Sequence, residues 1–221
     1  MKKLVVLLTL IYSVAGLAQN KRVLFVVTNH TQLGNTGETT GYFLSEVTHP
    51  LEVLTKELQK SPLRFDASKY TTQQVTQGDQ TFTVRAYEGI VYVANPVEEQ
   101  YQQLNLYIPE AYFNGETING FNAQSAPIFF PNGVGGYMPA KPLSLTGGKF
   151  KDTNNSLIMA LSKGFVVASP GARGRTSATG KAPAVIVDLK AAVRYLKYND
   201  KEIPGDANKI ISNGTSAGGA S

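Results

Sequence analysis

Short apolar runs alternate with helical periodicity in the C-terminal part of the chain. Apolar runs rich in β-branched or aromatic residues predict strands at 126–130, 165–169 and 209–213. Between them, apolar residues recur at helical spacing, which predicts helices over 155–163 and 182–198. Alternation of this kind is typical of a parallel sheet in an α/β fold. The positions expected to face the core are Leu157, Ala160 and Leu161 in the first helix and Val185, Leu189, Val193 and Leu196 in the second.

The upstream part of the chain is less regular. Apolar and polar residues alternate at 82–87 and 104–108, which predicts two antiparallel strands at an edge of the sheet. Before them, the polar composition of 59–80 predicts a linker. An apolar run at 22–28 predicts a buried strand, and the spacing over 42–58 is helical. The expected organisation is a signal peptide at 1–18, a strand-loop-helix segment at 19–58, a linker at 59–80 and a domain at 81–221.

The first residues have the features of a secretory signal peptide. Met1-Lys2-Lys3 is basic, residues 4–14 are almost entirely apolar, and small residues stand at Gly16 and Ala18. The apolar run is about half the length that spans a bilayer, which disfavours a membrane anchor. We therefore expect cleavage after Ala18 and a secreted or periplasmic protein without a membrane partner.

Composition narrows the possible functions. Of the 221 residues, 42% are hydrophobic and 17% are charged, as in ordinary globular proteins. The formal net charge of +5 falls to +3 without Lys2 and Lys3, which does not favour nucleic-acid binding. The chain contains no cysteine, which excludes disulfides, a cysteine nucleophile and a thiolate metal site. Nothing in the sequence calls for a metal or another cofactor.

The strongest chemical motif lies near the C-terminus. Gly214-Thr215-Ser216-Ala217-Gly218 follows a predicted strand and has the G-x-S-x-G pattern of a nucleophile elbow. In such an elbow the strand turns sharply into a helix, and the serine hydroxyl is left exposed on a strained backbone. The glycines Gly214 and Gly218 are needed because side chains there would collide with neighbouring elements. We predict Ser216 as a nucleophile; the alternative is an ordinary turn at a strand end.

An acyl-transfer serine also needs hydrogen-bond donors for the oxyanion. One is expected to be the backbone N–H of Ala217, the residue after the nucleophile. The second is expected from the glycine-rich loop 132–136, which follows an earlier strand, with Val134 or Gly135 as the donor. The alternative for this loop is a plain β-turn.

Several segments together resemble one enzyme family. Residues 87–221 are similar to the N-terminal half of bacterial tannases and feruloyl esterases, which are α/β-hydrolases. The segments that carry the resemblance are YVANP at 92–96, QLNLYIP at 103–109, PNGVGGYMP at 131–139, ASPGARGRT at 168–176 and ISNGTSAGGA at 211–220. The resemblance implies an incomplete α/β-hydrolase sheet with an antiparallel N-terminal edge. It also implies a secreted serine esterase that needs no cofactor and acts on small phenolic-acid esters.

The charged residues near the predicted site could serve the substrate or the fold. Arg173 and Arg175 could position a substrate carboxylate or an insertion that covers the site. Alternatively, Arg173 ties its loop to nearby carbonyls, which we favour because buried loops need donors. Asp188 and Arg194, both on the long predicted helix, are expected to form a solvated or structural pair.

A serine hydrolase of this chain order needs an acid and then a histidine after the serine. Only five residues follow Ser216, and the two histidines, His30 and His49, lie far upstream. We therefore expect a chain truncated after the elbow, with weak or no activity of its own.

The segment 21–58 resembles the opening of PfpI-like proteins of the class I amidotransferase superfamily. The resemblance rests on RVLFVVTNH at 22–30 and TGYFLSEVTHP at 40–50. That family pairs a glutamate, here Glu46, with a cysteine nucleophile, and this chain has no cysteine. The alternatives to the esterase are thus a PfpI-like module or a non-catalytic secreted remnant.

Overall fold

The computed structural model describes residues 63–146 and 151–221, together with two strands nearer the N-terminus, Leu8–Tyr12 (β1) and Val23–Val27 (β2). The chain divides into two compact units, Met1–Arg64 and Phe65–Ser221. No helix among the described residues has both the length and the apolar character needed to cross a membrane.

The described residues of the first unit form an antiparallel strand pair. In this pair Leu8 lies opposite Val27 and Tyr12 lies opposite Val23. β2 falls inside the strand predicted at 22–28. β1 falls inside the predicted signal peptide, so the pair exists only in a chain that keeps its first residues. The predicted helix at 42–58, Glu46 and both histidines lie outside the described residues.

The second unit is built on a six-stranded mixed sheet. Its strands are β3 Thr71–Gln77, β4 Gln80–Val91, β5 Gln103–Pro109, β6 Pro127–Pro131, β7 Val166–Pro170 and β8 Asp206–Asn213. Its helices are α1 Lys151–Ser162 and α2 Ala184–Tyr198. The strand order across the sheet is β3-β4-β5-β7-β6-β8. The unit is therefore the α/β fold that the alternating pattern predicts.

The three C-terminal strands are parallel. β6 pairs in parallel with both β7 and β8, and α1 and α2 lie in the connections between them. β5 runs antiparallel to β7, and β4 runs antiparallel to β5, which confirms the predicted antiparallel edge. Because parallel strands end at the same edge, the segments that follow β6, β7 and β8 gather there. These are the loop from 132, the loop from 171 and the elbow at 214–218.

The predicted linker at 59–80 is wrong over part of its length. Residues 71–77 form β3, which pairs with β4 from Thr71 opposite Ala86 to Gln77 opposite Gln80. β3 is an edge strand in which only Val75 is buried, so polar residues suit most of its positions. Because most of its positions are exposed, the strand has the threonine- and glutamine-rich composition of a linker.

The helices pack through the predicted faces. Leu157 and Leu161 of α1 are fully buried and join a cluster with Tyr107 and Val167 of the sheet. Each buried leucine contributes about 1.5–3 kcal/mol of hydrophobic stabilisation. In α2 the predicted core residues Val185, Leu189 and Leu196 are buried, whereas Val193 is only half-buried. This packing fixes the strands whose ends carry the three loops.

Candidate active site

The segment after β8 has the backbone of a nucleophile elbow. Thr215 is extended, Ser216 has a left-handed φ of +55°, and a short 3₁₀ turn covers Ser216–Gly218. A non-glycine residue in this region costs about 1–2 kcal/mol, which is strain of the kind stored at functional sites. Ser216 is exposed, while Ala217 is buried. The predicted strand, sharp turn and exposed serine are therefore all present.

The two glycines of the motif are required by close approaches. A Cβ on Gly214 would overlap the carbonyl group of Gly218. A Cβ on Gly218 would lie 2.6 Å from both Asn132 Oδ1 and the Val134 carbonyl oxygen. These distances are shorter than atoms tolerate, so both positions exclude side chains. The approach also places the 132–136 loop directly against the elbow.

Asn132 connects the loop to the elbow. Its backbone N–H donates to the Asn213 carbonyl at 2.9 Å, at the end of β8. Its side-chain Nδ2 donates to the carbonyls of Asn213 at 3.2 Å and Gly218 at 3.1 Å. Its Oδ1 accepts the Val134 N–H at 3.2 Å. The sequence placed Asn132 in the loop but gave no indication of this bridging role.

The hydrogen bonds of the backbone N–H groups distinguish Val134 from Gly135, the two loop residues predicted as oxyanion donors. The Val134 N–H is already engaged with Asn132, which makes Val134 the weaker of the two loop candidates. Within 63–146 and 151–221, the N–H groups of Gly135, Gly136 and Ala217 have no hydrogen-bond partner. Gly135 and Ala217 therefore keep the free donors that an oxyanion site requires. Gly136 is a further free donor that the sequence did not single out.

The loop after β7 clamps the segment beyond Gly135. The Arg175 backbone N–H donates to the Tyr137 carbonyl at 2.7 Å, and Arg175 Nε donates to the Gly136 carbonyl at 2.8 Å. Ala140 and Ala172 exchange backbone hydrogen bonds of 2.9 and 2.8 Å. Arg175 thus holds two successive carbonyls of the loop that lies against the elbow.

Arg173 is committed to a buried carboxylate. Its Nε and its backbone N–H each donate to Asp188 Oδ2 at 2.9 Å, and its Nη2 donates to Oδ1 at 2.8 Å. The Asp188 side chain is 1% exposed and also accepts from Gln102 Nε2 at 3.1 Å. Hydrogen bonding to Asp188 raises the pKa of the Arg173 guanidinium above its ordinary value.

The hydrogen bonds of Asp188 correct its predicted pairing with Arg194 and also bear on the predicted role of Arg173. Asp188 pairs with Arg173 and not with Arg194, because Asp188 is on the buried face of α2 whereas Arg194 is exposed. The Arg173 side chain is 12% exposed and is used to hold its own loop. That arrangement favours the structural alternative for Arg173 over contact with a substrate.

Ser216 has no histidine near it in the part of the chain that the structure describes. The Ser216 hydroxyl has no hydrogen-bond partner in the part of the chain that the structure describes. The chain's two histidines, at positions 30 and 49, lie outside that part. The described residues therefore bring together an exposed serine on a strained turn and backbone N–H groups without a hydrogen-bond partner.

One family model matches the C-terminal part of the chain. The model described as BD-FAE matches residues 145–220, which include α1, β7, α2, β8 and the elbow. Among curated proteins, none matches the chain.

Solved structures of tannases are similar to this chain. The Fusobacterium nucleatum tannase is 56% identical, with a TM-score of 0.68, over 72% of this chain and 34% of its own. The Lactobacillus plantarum tannase is 43% identical, with a TM-score of 0.69, over 72% of this chain and 35% of its own. A tannin acyl hydrolase in complex with ethyl gallate is 42% identical, with a TM-score of 0.69, over 73% of this chain and 37% of its own.

These similarities confirm the tannase resemblance and do not extend to the PfpI-like one. The chain spans about a third of the length of these tannases. The chain is thus similar over part of its length to the tannases, which are tannin acyl hydrolases.

Proposed function

We propose that the chain carries the nucleophile and the oxyanion site of a secreted serine esterase that acts on phenolic-acid esters. The observation that carries the proposal is the left-handed backbone of Ser216 at the centre of G-x-S-x-G, directly after a parallel strand. The backbone N–H groups of Ala217 and Gly135, which have no hydrogen-bond partner among the described residues, are the donors proposed for the oxyanion.

The reaction would proceed through an acyl-enzyme. Ser216 Oγ attacks the ester carbonyl while a histidine takes its proton. The carbonyl oxygen becomes an oxyanion that accepts hydrogen bonds from the N–H groups of Ala217 and Gly135. The alcohol leaves with the proton returned by the histidine, and water then hydrolyses the acyl-serine. In α/β-hydrolases this histidine follows the nucleophile in chain order.

The substrate class is supported by the relatives. One tannin acyl hydrolase was solved with 3,4-dihydroxybenzoate and another structure with ethyl gallate. Both ligands are hydroxylated aromatic acids or esters. We extend this class to the present chain as the small-molecule substrate.

Covalent labelling would test the nucleophile. We expect a fluorophosphonate to label Ser216 faster than any other serine, because the oxyanion donors also hold a phosphonyl oxygen. Added imidazole should accelerate this labelling, because residues 65–221 contain no histidine that could take the proton. Ser216→Ala should abolish the label, whereas Ser212→Ala, on the exposed end of β8, should retain it. Labelling spread evenly over the serines would refute the proposal.

Export is a separate part of the proposal. Removal of residues 1–18 would leave Gln19 as the N-terminal residue. Intact-mass measurement on protein from the periplasm or medium of an expressing bacterium would show this, whereas a retained Met1 would contradict it.

A further inference from the structure

The turn that begins at Gly135 has a strained backbone. Met138 N–H donates to the Gly135 carbonyl at 2.9 Å and closes a four-residue turn. The two central residues, Gly136 and Tyr137, both have a φ of +57°. Two successive positive φ values are what a type I′ turn requires, and glycine, asparagine or aspartate normally fill such positions. Because Tyr137 is none of these, the turn depends on surrounding contacts to keep its shape.

Arg175 supplies two of these contacts. Its backbone N–H donates to the Tyr137 carbonyl at 2.7 Å, and its side-chain Nε donates to the Gly136 carbonyl at 2.8 Å. The carbonyls of both central residues of the turn are therefore held. Any residue except proline could make the first bond, whereas the second needs a side chain with a donor at the position of Nε.

The loop that carries Arg175 is itself fixed. Two residues earlier, the backbone N–H and the Nε of Arg173 both donate at 2.9 Å to Asp188, whose side chain is 1% exposed. A Cβ on Gly174 would overlap the backbone of Met138, so this loop lies directly against the turn. The Arg175 side chain therefore extends from a backbone whose position relative to the turn is already set.

The same turn carries free backbone donors. The N–H groups of Gly135 and Gly136 have no partner among residues 63–146 and 151–221, and a Cβ on either glycine would meet no atom within 4 Å. Free donors beside open space are what an oxyanion site requires. A carbonyl and the N–H of the next residue share one rigid peptide plane, so bonds to the carbonyls of this turn also fix the directions of its N–H groups.

We propose that Arg175 is a positioning residue for the reaction at Ser216. By holding the Gly136 carbonyl, its side chain keeps the N–H groups of Gly135 and Gly136 in the directions that the oxyanion needs. The inference rests on the proposed function. It adds a residue that acts through the backbone of the turn and not by contact with the reacting atoms.

Two variants of equal side-chain length test whether the donor matters. In Arg175→Gln the amide nitrogen stands as many bonds from the backbone as the arginine Nε, whereas in Arg175→Met a methyl group stands there. With imidazole added to the full chain, Arg175→Met should slow fluorophosphonate labelling of Ser216 about ten- to a hundredfold, because displaced donors hold the phosphonyl oxygen poorly. Arg175→Gln should stay within about threefold of the wild type, since a neutral donor is weaker than a charged one.

The control for loss of charge is Arg194→Met. Arg194 is exposed on α2, and its removal lowers the net charge by the same amount as either variant at position 175. This control should be labelled at the wild-type rate. A fall in rate equal to that of Arg175→Met would mean that charge alone matters, and would overturn the inference.

NMR provides a readout that a loss of stability would not reproduce. When the wild type is phosphonylated, the amide proton of Gly135 or Gly136 should move downfield, because it then donates to the phosphonyl oxygen. In Arg175→Met this shift should shrink, and the Met138 amide that closes the turn should exchange with solvent about tenfold faster. The melting temperature should fall by less than about 4 °C, because only one exposed hydrogen bond is lost.

The adverse results separate this inference from the proposed function. Equal labelling of Ser216 in Arg175→Met and in the wild type would overturn the role of Arg175 alone. The same holds if Arg175→Gln is as slow as Arg175→Met, if exchange of the Met138 amide is unchanged, or if the melting temperature collapses. A wild type that is not labelled at Ser216 would overturn the proposed function, and the inference with it.

Discussion

The side-chain amide of Asn132 donates a hydrogen bond to the Gly218 carbonyl across 3.1 Å, and so joins the loop after β6 to the elbow after β8. The loop and the elbow are 86 residues apart in the chain. Their relative position determines where the free N–H groups of Gly135 and Ala217 lie, so Asn132 sets the spacing between the two donors of the proposed oxyanion site.

Gly218→Ala tests how closely this junction is packed. The added methyl would lie 2.6 Å from Asn132 Oδ1 and from the Val134 carbonyl, so the loop must move. We expect a loss of about 1–3 kcal/mol in unfolding free energy, as for overpacking in a core, measured by urea denaturation. Gly135→Ala is the matched control for stability, because a Cβ there meets no atom within 4 Å. Equal stability of the two variants would show that the junction is loose.

The elbow could be predicted from the sequence, whereas the Asn132 hydrogen bonds that hold it could not. The spacing of G-x-S-x-G, set after a β-branched strand, was enough to predict the elbow, because glycine and strand patterns are local signals. The Asn132 bridge, by contrast, depends on the register between β6 and β8, which no local pattern records.

The remaining errors have similar causes. β3 is polar because only one of its residues is buried, so it lacks the alternation that identifies a strand. Asp188 was assigned the wrong arginine, since its partner comes from the β7 loop and not from its own helix. Tyr137 gave no signal at all, because positive φ values are inferred from glycine and asparagine. The sequence thus predicted the strand and the sharp turn at Ser216 better than the contacts that hold them.

The Arg173–Asp188 pair provides a second prediction. Asp188→Asn would leave the Arg173 guanidinium largely buried without a compensating charge, and we expect a loss of about 3 kcal/mol in unfolding free energy. Glu110→Gln removes the charge from the bidentate Arg85–Glu110 pair, whose side chains are 20% and 27% exposed. That control should cost about 1 kcal/mol or less. The two losses would be compared by chemical denaturation, and similar values would contradict the dependence on burial.

Stability should also depend on pH through Glu110. Its hydrogen bonds to Arg85 hold the pKa of the carboxyl below its ordinary value of 4.5. A lowered folded-state pKa means that the carboxylate stabilises the fold above about pH 4.5 and loses this effect as the pH falls through the folded-state value. The stability difference between wild type and Glu110→Gln should therefore be full at pH 6 and shrink below about pH 4.5. A difference that stays constant on acidification would contradict the prediction.

The last prediction concerns the reactivity of Ser216. Residues 65–221 contain no histidine, so no imidazole within that unit can take the proton from Ser216. Loss of the base from a triad costs about 10⁶-fold in turnover. We therefore expect the chain to hydrolyse a p-nitrophenyl ester little above background, and Ser216→Ala to change that rate little. Strong turnover that Ser216→Ala abolishes would mean that a histidine from the first unit reaches the elbow. His30→Gln and His49→Gln would then show which one does, because only the loss of the true base should reduce the rate to that of Ser216→Ala.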